Sequence, residues 1–213
     1  MAFVSEIDMI YSMDCYFRQT WKDSRLAYSR RAETSSFKTP STLALSVTML
    51  EKIWKPDTYF YNGQKAHLHT ITSPNKFVRI DNEGNVLYSS RMTIKAICPM
   101  HLENFPMDTQ ICPLELGSFG YSIENVIYRW NPKRSVVIAP DMKMSHSLSL
   151  LHKVKQAKLL PGGPYSKLII GFHFQRFMGH FVIEVYVPCI MLVVLSWVSF
   201  WINREATADR IGL

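Results

Sequence analysis

The sequence predicts an all-β sandwich followed by one membrane-spanning α-helix. Two patterns predict the sandwich: short runs in which apolar and polar residues alternate, and clusters of turn residues between those runs. A single long apolar segment near the C-terminus predicts the helix. A chain of 213 residues has room for one large domain and such an appendage. We therefore place the sandwich in residues 1–178 and the helix in residues 179–202.

The clearest strand runs from Val86 to Cys98. Its residues fall on two alternating faces, one with Val86, Tyr88, Ser90, Met92, Ile94 and Ala96, the other with Leu87, Ser89, Arg91, Thr93 and Lys95. A second run, Phe77 to Ile80, precedes it, and residues 81–85 between them have the composition of a hairpin turn. Similar runs predict further strands at Ile10 to Gln19, Thr42 to Met49, Asn125 to Trp130 and Lys167 to Arg176.

The apolar segment runs from Phe181 to Ile202 and carries one charge, Glu184, close to its start. About 22 residues at 1.5 Å each extend about 33 Å, enough to cross the hydrocarbon core of a bilayer. A buried core helix is the alternative, but no second layer of structure follows in the sequence to cover it. The flanking basic residues do not fix the orientation of the segment.

Charge and motifs exclude several classes of function. The formal charge is +7, yet Lys and Arg are scattered and the longest basic run is Arg30 with Arg31, so no nucleic-acid interface is predicted. No phosphate-cradling glycine loop, nucleophile elbow or paired-carboxylate motif is present, so we predict neither an enzyme nor a cofactor. Met1 is not followed by a secretory signal, and we expect the chain to begin inside a longer protein.

Two of the four cysteines, Cys98 and Cys112, flank a short polar loop, and their spacing suits a local disulfide in an oxidising compartment. Cys15 and Cys189 lie in apolar segments and are interpreted as buried free thiols. His67 and His69 could suggest a metal, but no third ligand lies at short spacing, so no metal site is predicted.

The loop CPMHLENFPMDTQIC resembles the signature loop of Cys-loop receptors, whose centre carries an aromatic-Pro-x-Asp element, here Phe105, Pro106, Met107 and Asp108. The stretches FRQTWKDSRL, IWKPDTYFYNGQK, YVPCIMLVVLSWVSFW and NREA resemble subunits of receptors for γ-aminobutyric acid (GABA) of the A type, in order and spacing. The likeness covers nearly the whole chain.

This resemblance implies a pentameric, ligand-gated ion channel of the postsynaptic plasma membrane. Each subunit would have an extracellular immunoglobulin-like sandwich of ten strands and four membrane helices. The chain would lack a leading helix and first strand. Residues 203–213 would form an intracellular linker and the start of the pore-lining helix. Implied partners are other Cys-loop subunits in a homo- or heteropentamer, a small amino-acid transmitter, GABA above all, and the lipid bilayer.

In this family the agonist lies between a principal face of one subunit and a complementary face of the next. The ammonium of GABA requires aromatic faces and a carboxylate, and its carboxylate requires a guanidinium. Matching motifs place these residues on the complementary face: Tyr16, Arg18, Arg79, Leu87 and Ser89. Those of the principal face are Tyr59, Ser118, Phe119 and Tyr165. The alternative for each aromatic residue alone is a place in the sandwich core.

One position departs from the GABA-binding principal pattern. Where principal subunits place a glutamate, two residues before the aromatic residue, this chain has Gly117, as α-type subunits do. Glu115 lies on the same strand face about 6.6 Å away and is at best a partial substitute. The resemblance therefore favours a heteromer in which this chain supplies the complementary face.

The family couples binding to opening where the sandwich meets the membrane helices. Residues implied in that role are Asp8, Phe105, Pro106, Asp108 and Arg176. Arg176 is expected to pair with an acid such as Asp8 or Asp108, or else only to mark the membrane boundary. The pore mouth would contain Ala208, Asp209 and Arg210, where anion-selective relatives read Pro-Ala-Arg. An acid at that constriction favours cations, so the family implies chloride while Asp209 leaves cation conduction open.

Two other classes of protein compete with the channel. The first is a soluble or singly anchored binding module, and the apolar segment together with its continuation into the Asp-Arg motif argues against it. An adhesion sandwich of the immunoglobulin type would need a cysteine pair separated by most of the domain.

Overall fold

The computed structural model describes residues 2–28, 40–133, 135–139, 146–160 and 163–201. The strands in this part of the chain are β1 (Ala2–Ser5), β2 (Ile10–Lys22), β3 (Thr42–Leu45), β4 (Thr58–Phe60), β5 (Gly63–Leu68), β6 (Lys76–Asp81), β7 (Asn85–Ile97), β8 (Thr109–Ser118), β9 (His146–Leu160) and β10 (Gly163–Arg176). The helices are a 3₁₀ turn (Ser24–Leu26), α1 (Val47–Lys52), α2 (Gly179–Phe181), a π-helix (Val182–Tyr186), α3 (Val187–Val198) and a second 3₁₀ turn (Ser199–Trp201).

The strands form two antiparallel sheets. Sheet A has the order β1-β2-β7-β6-β3, and β5 also pairs with β7 because that long strand has room for two partners along one edge. Sheet B has the order β4-β8-β10-β9. The predicted all-β sandwich followed by a helix is thus confirmed.

The core lies between the sheets. Tyr11 of β2 packs edge-on against Phe172 of β10, with ring centroids 6.2 Å apart, and donates its hydroxyl proton to the carbonyl oxygen of Pro113 at 2.8 Å. Buried residues packed around it include Ile94, Ala96, Cys98, Cys112, Leu114, Ile170 and Phe174. Since Ile94 and Ala96 belong to the apolar face predicted for the strand from Val86 to Cys98, that alternation is confirmed.

The predicted hairpin and disulfide are both present. Ile80 pairs with Val86, and Gly84 adopts a φ of 85°, a left-handed conformation that glycine takes without strain. Asp81 Oδ1 accepts backbone hydrogen bonds from Glu83 and Asn85, which fixes the turn. Cys98 and Cys112 form a disulfide across the loop that separates β7 from β8.

Two predicted strands were wrong in whole or in part. The run from Thr42 to Met49 ends as a strand at Leu45, because Ser46 caps α1 by accepting a hydrogen bond from the Met49 amide. Residues 125–130 form no strand. The amides of Asn125 and Val126 close a turn on the Ser122 carbonyl, and the Tyr128 amide donates to the side chain of Ser166 rather than to a backbone ladder.

The predicted C-terminal helix is helical from residue 179 to residue 201 but changes type along its length. Pro188 has no N–H, so the α-helical bond to the carbonyl of Glu184 cannot form, and the π-helix lies at this point. Across the described residues, no individual helix combines the length and the apolarity needed to cross a membrane.

Candidate functional site

Sheet A carries the residues predicted for the complementary face, and we call this set the arginine face: Tyr16, Arg18, Arg79, Leu87 and Ser89. Strand pairing aligns Arg18 with Ser89 and Leu87 with Arg79. Tyr16 is 69 % exposed and both arginines are exposed, whereas Ser89 is buried beneath them. The structure therefore brings these five residues together on the outer surface of sheet A.

Phe77 adds an aromatic ring to the arginine face. It pairs with Ser89 across β6 and β7, and the Arg79 guanidinium carbon lies 5.1 Å from the centre of its ring. Arg79 is thereby held by a cation–π contact. Arg18 lies two strands away from Arg79, and its side chain is exposed to solvent.

Sheet B carries the residues predicted for the principal face. We call the aromatic set Tyr59, Tyr61, Phe119 and Tyr165 the aromatic face. The Tyr59 ring lies 5.6 Å from that of Phe119 and 5.3 Å from that of Tyr61, both edge-on. Tyr59 and Phe119 are 42 % and 74 % exposed, so they do not belong to the core.

Asp57 fixes the loop that presents Phe119. Its two carboxylate oxygens accept hydrogen bonds from the Ser118 hydroxyl and the Gly120 amide, both at 2.6 Å. Ser118 is fully buried, and its hydrogen bond to Asp57 positions the loop. The contact of Ser118 with agonist stays a prediction.

Glu115, predicted as a partial substitute for the missing glutamate, is already engaged. Its Oε2 lies 2.6 Å from the ammonium nitrogen of Lys167, and that nitrogen lies 5.4 Å from the centre of the Tyr61 ring. A Cβ at Gly117 would approach the carbonyl oxygen of Ser166 to 2.5 Å. The glycine is therefore required by the close approach of β8 and β10.

The arginine and aromatic faces lie on opposite sides of the sandwich. Phe17 of sheet A contacts Phe60 of sheet B in the interior, with ring centroids 5.6 Å apart. Because side chains alternate along a strand, Arg18 points outward from one sheet and Tyr59 outward from the other. One copy of the chain cannot bring the two faces to the same ligand.

A second cluster joins the base of the sandwich to the C-terminal helical segment. Arg176 Nε donates to Asp108 Oδ1 at 2.9 Å, and its Nη1 donates to Glu6 Oε1 at 2.6 Å. The Arg176 guanidinium carbon also lies 4.7 Å from the ring centre of Phe105 and 5.5 Å from that of Phe181. The cluster connects the β1–β2 turn, the disulfide loop, the end of β10 and the first helical turn.

The expected pairing of Arg176 with Asp108 is thus present, but its second carboxylate partner is Glu6. Asp8 instead accepts a hydrogen bond from the Ser5 hydroxyl at 2.9 Å within its own turn. Burial opposes ionisation of Asp108 most strongly, yet the hydrogen bonds from Arg176 and Gln110 and the charge of Arg176 outweigh it and lower the pKa of Asp108. Asp108 is therefore an ionised, buried partner of a nearly buried arginine.

Sequence reasoning missed Lys167, Tyr61, Phe181 and the role of Glu6. Lys167 could have been noticed as a charged residue at the start of the apolar run KLIIGFHF. The strand register that brings it to Glu115 cannot be predicted from the sequence. Ala208, Asp209 and Arg210 lie outside the described residues. Within the described residues, no group of three or more His, Cys, Asp or Glu could hold a metal ion, and His69 instead hydrogen-bonds Thr93 at 2.8 Å.

Comparison with known proteins identifies the family. The model of the neurotransmitter-gated ion-channel ligand-binding domain matches residues 1–178, and that of the neurotransmitter-gated ion-channel transmembrane region matches residues 185–213. The chain is 45 % identical to the gamma-aminobutyric acid receptor alpha-like protein of Drosophila melanogaster, over 100 % of this chain and 41 % of that protein. It is 46 % identical to the gamma-aminobutyric acid receptor subunit alpha-2 of Rattus norvegicus, over 97 % of this chain and 45 % of that protein.

The human alpha-2 subunit is 45 % identical over the same shares of both chains. The chain spans less than half the length of these curated relatives. The two family matches cover the sandwich and the helical segment in the order in which the fold presents them, so the chain belongs to the neurotransmitter-gated ion-channel family.

Proposed function

We propose that this chain is part of a subunit of a pentameric, GABA-gated channel and that it supplies the complementary side of the agonist site. The observation that carries the proposal is the placement of the arginine and aromatic faces on opposite sides of one sandwich. In a head-to-tail ring, each copy offers one face to the subunit before it and the other to the subunit after it. An agonist then binds where two unlike faces meet.

The chemistry of the arginine face suits the carboxylate end of an amino acid. The Arg18 guanidinium offers paired donors to a carboxylate, and Tyr16, Phe77 and Ser89 surround it with apolar and hydroxyl groups. The ammonium end then faces the neighbouring subunit. We propose a heteromer, because Gly117 leaves this chain without the glutamate that a principal face requires.

We place the binding domain, residues 1–178, outside the cell, with a membrane helix over residues 179–202 and the start of a pore helix in residues 203–213. The family matches and the Arg176 cluster support this arrangement. Arg176 would transmit movement of the sandwich to the helix that begins beside Phe181. A plasma-membrane, postsynaptic location belongs to the same proposal.

Chloride is the proposed permeant ion, as the family resemblance implies. A second candidate is a cation-conducting channel, which Asp209 beside Arg210 favours, because an acidic ring at a constriction attracts cations.

The test compares agonists that differ at the carboxylate. The full-length subunit is expressed with a partner subunit that is silent alone, and currents evoked by GABA and by n-butylamine are recorded. A charge-assisted hydrogen bond contributes about 1.5–3 kcal/mol, so n-butylamine should be at least about tenfold weaker. Equal potency of the two amines would contradict carboxylate capture by this chain.

A further inference from the structure

Gln19 is a polar residue whose side chain points into the core of the sandwich. It lies on β2 two residues after Phe17, whose ring contacts that of Phe60 in sheet B with centroids 5.6 Å apart. Since alternate side chains on a strand share a face, Gln19 points inward with Phe17, and Arg18 between them points outward. An amide withdrawn from water lowers stability unless a hydrogen bond satisfies it. A polar partner for Gln19 is therefore expected on the opposite sheet.

That partner is Thr58, and the contact is part of a longer network. Gln19 Nε2 donates a hydrogen bond to the Thr58 hydroxyl oxygen, and the Thr58 and Tyr128 hydroxyls share a hydrogen bond of 2.9 Å. The Tyr128 amide donates to the Ser166 hydroxyl oxygen, also at 2.9 Å. We call Gln19, Thr58, Tyr128 and Ser166 the polar bridge. It ties β2 of sheet A to β4 and β10 of sheet B.

The polar bridge meets β2 between two apolar parts of the core. Cys15 packs against the cluster around Tyr11, and Trp21 packs against a second cluster around Val86. Gln19 lies between them on the strand. Apolar contacts have no fixed direction, whereas a hydrogen bond needs a donor, an acceptor and a narrow range of angles. The bridge therefore fixes the position of this section of β2 across the core.

Arg18 depends on its backbone for its position. Arg79 is held by the ring of Phe77, whereas within the part of the chain that the structure describes no carboxylate or ring holds Arg18 in this way. Gln19 directly follows Arg18, so any rotation or sliding of β2 at Gln19 also moves the Arg18 guanidinium.

We propose that Gln19 is a positioning residue: through its hydrogen bond to Thr58 it fixes the section of β2 that presents Arg18 to the agonist carboxylate. This inference rests on the proposed function and deepens it. Gln19 acts from the core side of sheet A and makes no contact with the agonist itself. Because Thr58 directly precedes Tyr59 on β4, the same bond also sets the arginine face relative to the aromatic face of the same chain.

The test measures GABA potency from concentration–response curves of the full-length subunit with its partner, at matched surface expression. Gln19→Leu keeps most of the side-chain volume and removes the hydrogen bond, and it should weaken GABA potency about three- to tenfold. In an Arg18→Ala background the same substitution should cause no further loss, because a residue that acts through Arg18 then has nothing to position. Equal losses in the two backgrounds would indicate a general structural effect and overturn the inference.

Thr58→Val keeps the shape of the side chain and removes its hydroxyl, so it should reproduce the loss, and it serves if Gln19→Leu fails to reach the surface. Thr58→Ser keeps the hydroxyl and should behave as wild type. Tyr11→Phe is the matched control, because it removes another hydrogen bond between β2 and sheet B at the far end of the strand, and it should leave GABA potency unchanged.

Two outcomes separate this inference from the proposed function. Wild-type potency in both Gln19→Leu and Thr58→Val, together with weakened potency in Arg18→Ala, would overturn the inference and leave the proposed function intact. Wild-type potency in Arg18→Ala would contradict the proposed function itself.

Discussion

At the scale of single residues, the Arg176 cluster is tightly constrained by burial, ion pairs and ring contacts. The Arg176 and Asp108 side chains are 7 % and 3 % exposed, and the arginine is in contact with two aromatic rings as well as two carboxylates. Removing one partner of a buried pair leaves an uncompensated charge, which typically costs about 3–5 kcal/mol. The cluster therefore stabilises the junction between sandwich and helix as well as serving its proposed role in coupling.

The lowered pKa of Asp108 gives a testable pH dependence. A carboxyl whose pKa is lower in the folded state contributes stability above its unfolded pKa of about 3.9, and this contribution is lost as the pH falls through the folded value. We expect the gap in thermal midpoint between the detergent-solubilised full-length wild type and Asp108→Asn to be largest near neutral pH and to narrow below about pH 4.

Glu103→Gln is the matched control, because Glu103 is an exposed acid of the same loop. Its midpoint should stay close to that of the wild type. A gap between wild type and Asp108→Asn that is constant from neutral to acid pH would show that ionisation of Asp108 is not its source.

At the scale of elements, strand alternation predicted β2, β6, β7, β10 and the start of β3, but not β1, β4, β5, β8 or β9. The run from Val86 to Cys98 has its apolar face in the core, as expected for a half-buried strand. The run that begins at Thr42 continues as helix α1, because the Ser46 side chain accepts a hydrogen bond from the Met49 amide and caps the helix. Alternation of apolar and polar residues predicts which face of a strand a residue occupies. It does not predict which residue lies opposite it on the neighbouring strand.

That limit also governed the candidate site. The resemblance placed Arg18 and Ser89 on two strands, and pairing aligns them. It could not show that Glu115 is bound to Lys167, because their contact depends on the register between β8 and β10. The sequence showed that Gly117 stands where principal subunits have a glutamate. Only the structure shows that a side chain at this position would collide with the Ser166 carbonyl.

Close approach at Gly117 predicts a large difference between two glycine substitutions. Gly117→Ala would drive a Cβ to 2.5 Å from the Ser166 carbonyl, and overpacking of this kind typically costs about 1–3 kcal/mol. Gly120→Ala is the matched control, since its Cβ would meet Asp57 at an ordinary 3.4 Å. We expect Gly117→Ala to lower the thermal midpoint of the full-length protein and Gly120→Ala to leave it nearly unchanged. Equal midpoints would show that β8 and β10 can separate without cost.

At the scale of the whole molecule, the proposed function depends on an assembly that one chain cannot provide. The two candidate faces belong to different sheets, and in the proposed ring each is complete only against a neighbour. The helical segment likewise leaves large apolar side chains such as Ile183, Leu192 and Trp197 exposed, consistent with a membrane or helix partner in the proposed pentamer.

Ion selectivity belongs to that proposed assembly, and electrostatics gives the direction of the effect predicted for Asp209. One unit charge about 5 Å from a permeant ion contributes roughly 0.8 kcal/mol even at the dielectric constant of water. Asp209→Ala in the full-length subunit should therefore raise the permeability of chloride relative to sodium several-fold, measured as a shift in reversal potential when each ion is replaced. Asp209→Glu keeps the charge and should behave as wild type, and an unchanged ratio in Asp209→Ala would remove Asp209 from the selectivity filter.

The central claim is that Arg18 of this chain holds the carboxylate of GABA on the complementary side of a subunit interface. The most direct measurement is the GABA concentration–response curve of the full-length subunit with its partner, comparing wild type, Arg18→Ala and Lys22→Ala at matched surface expression. Lys22 is an exposed cation on the same face of β2, about 13 Å further along, so it controls for loss of charge. We predict that Arg18→Ala weakens GABA potency at least about tenfold while Lys22→Ala leaves it near the wild-type value. Unchanged potency in Arg18→Ala would contradict the claim.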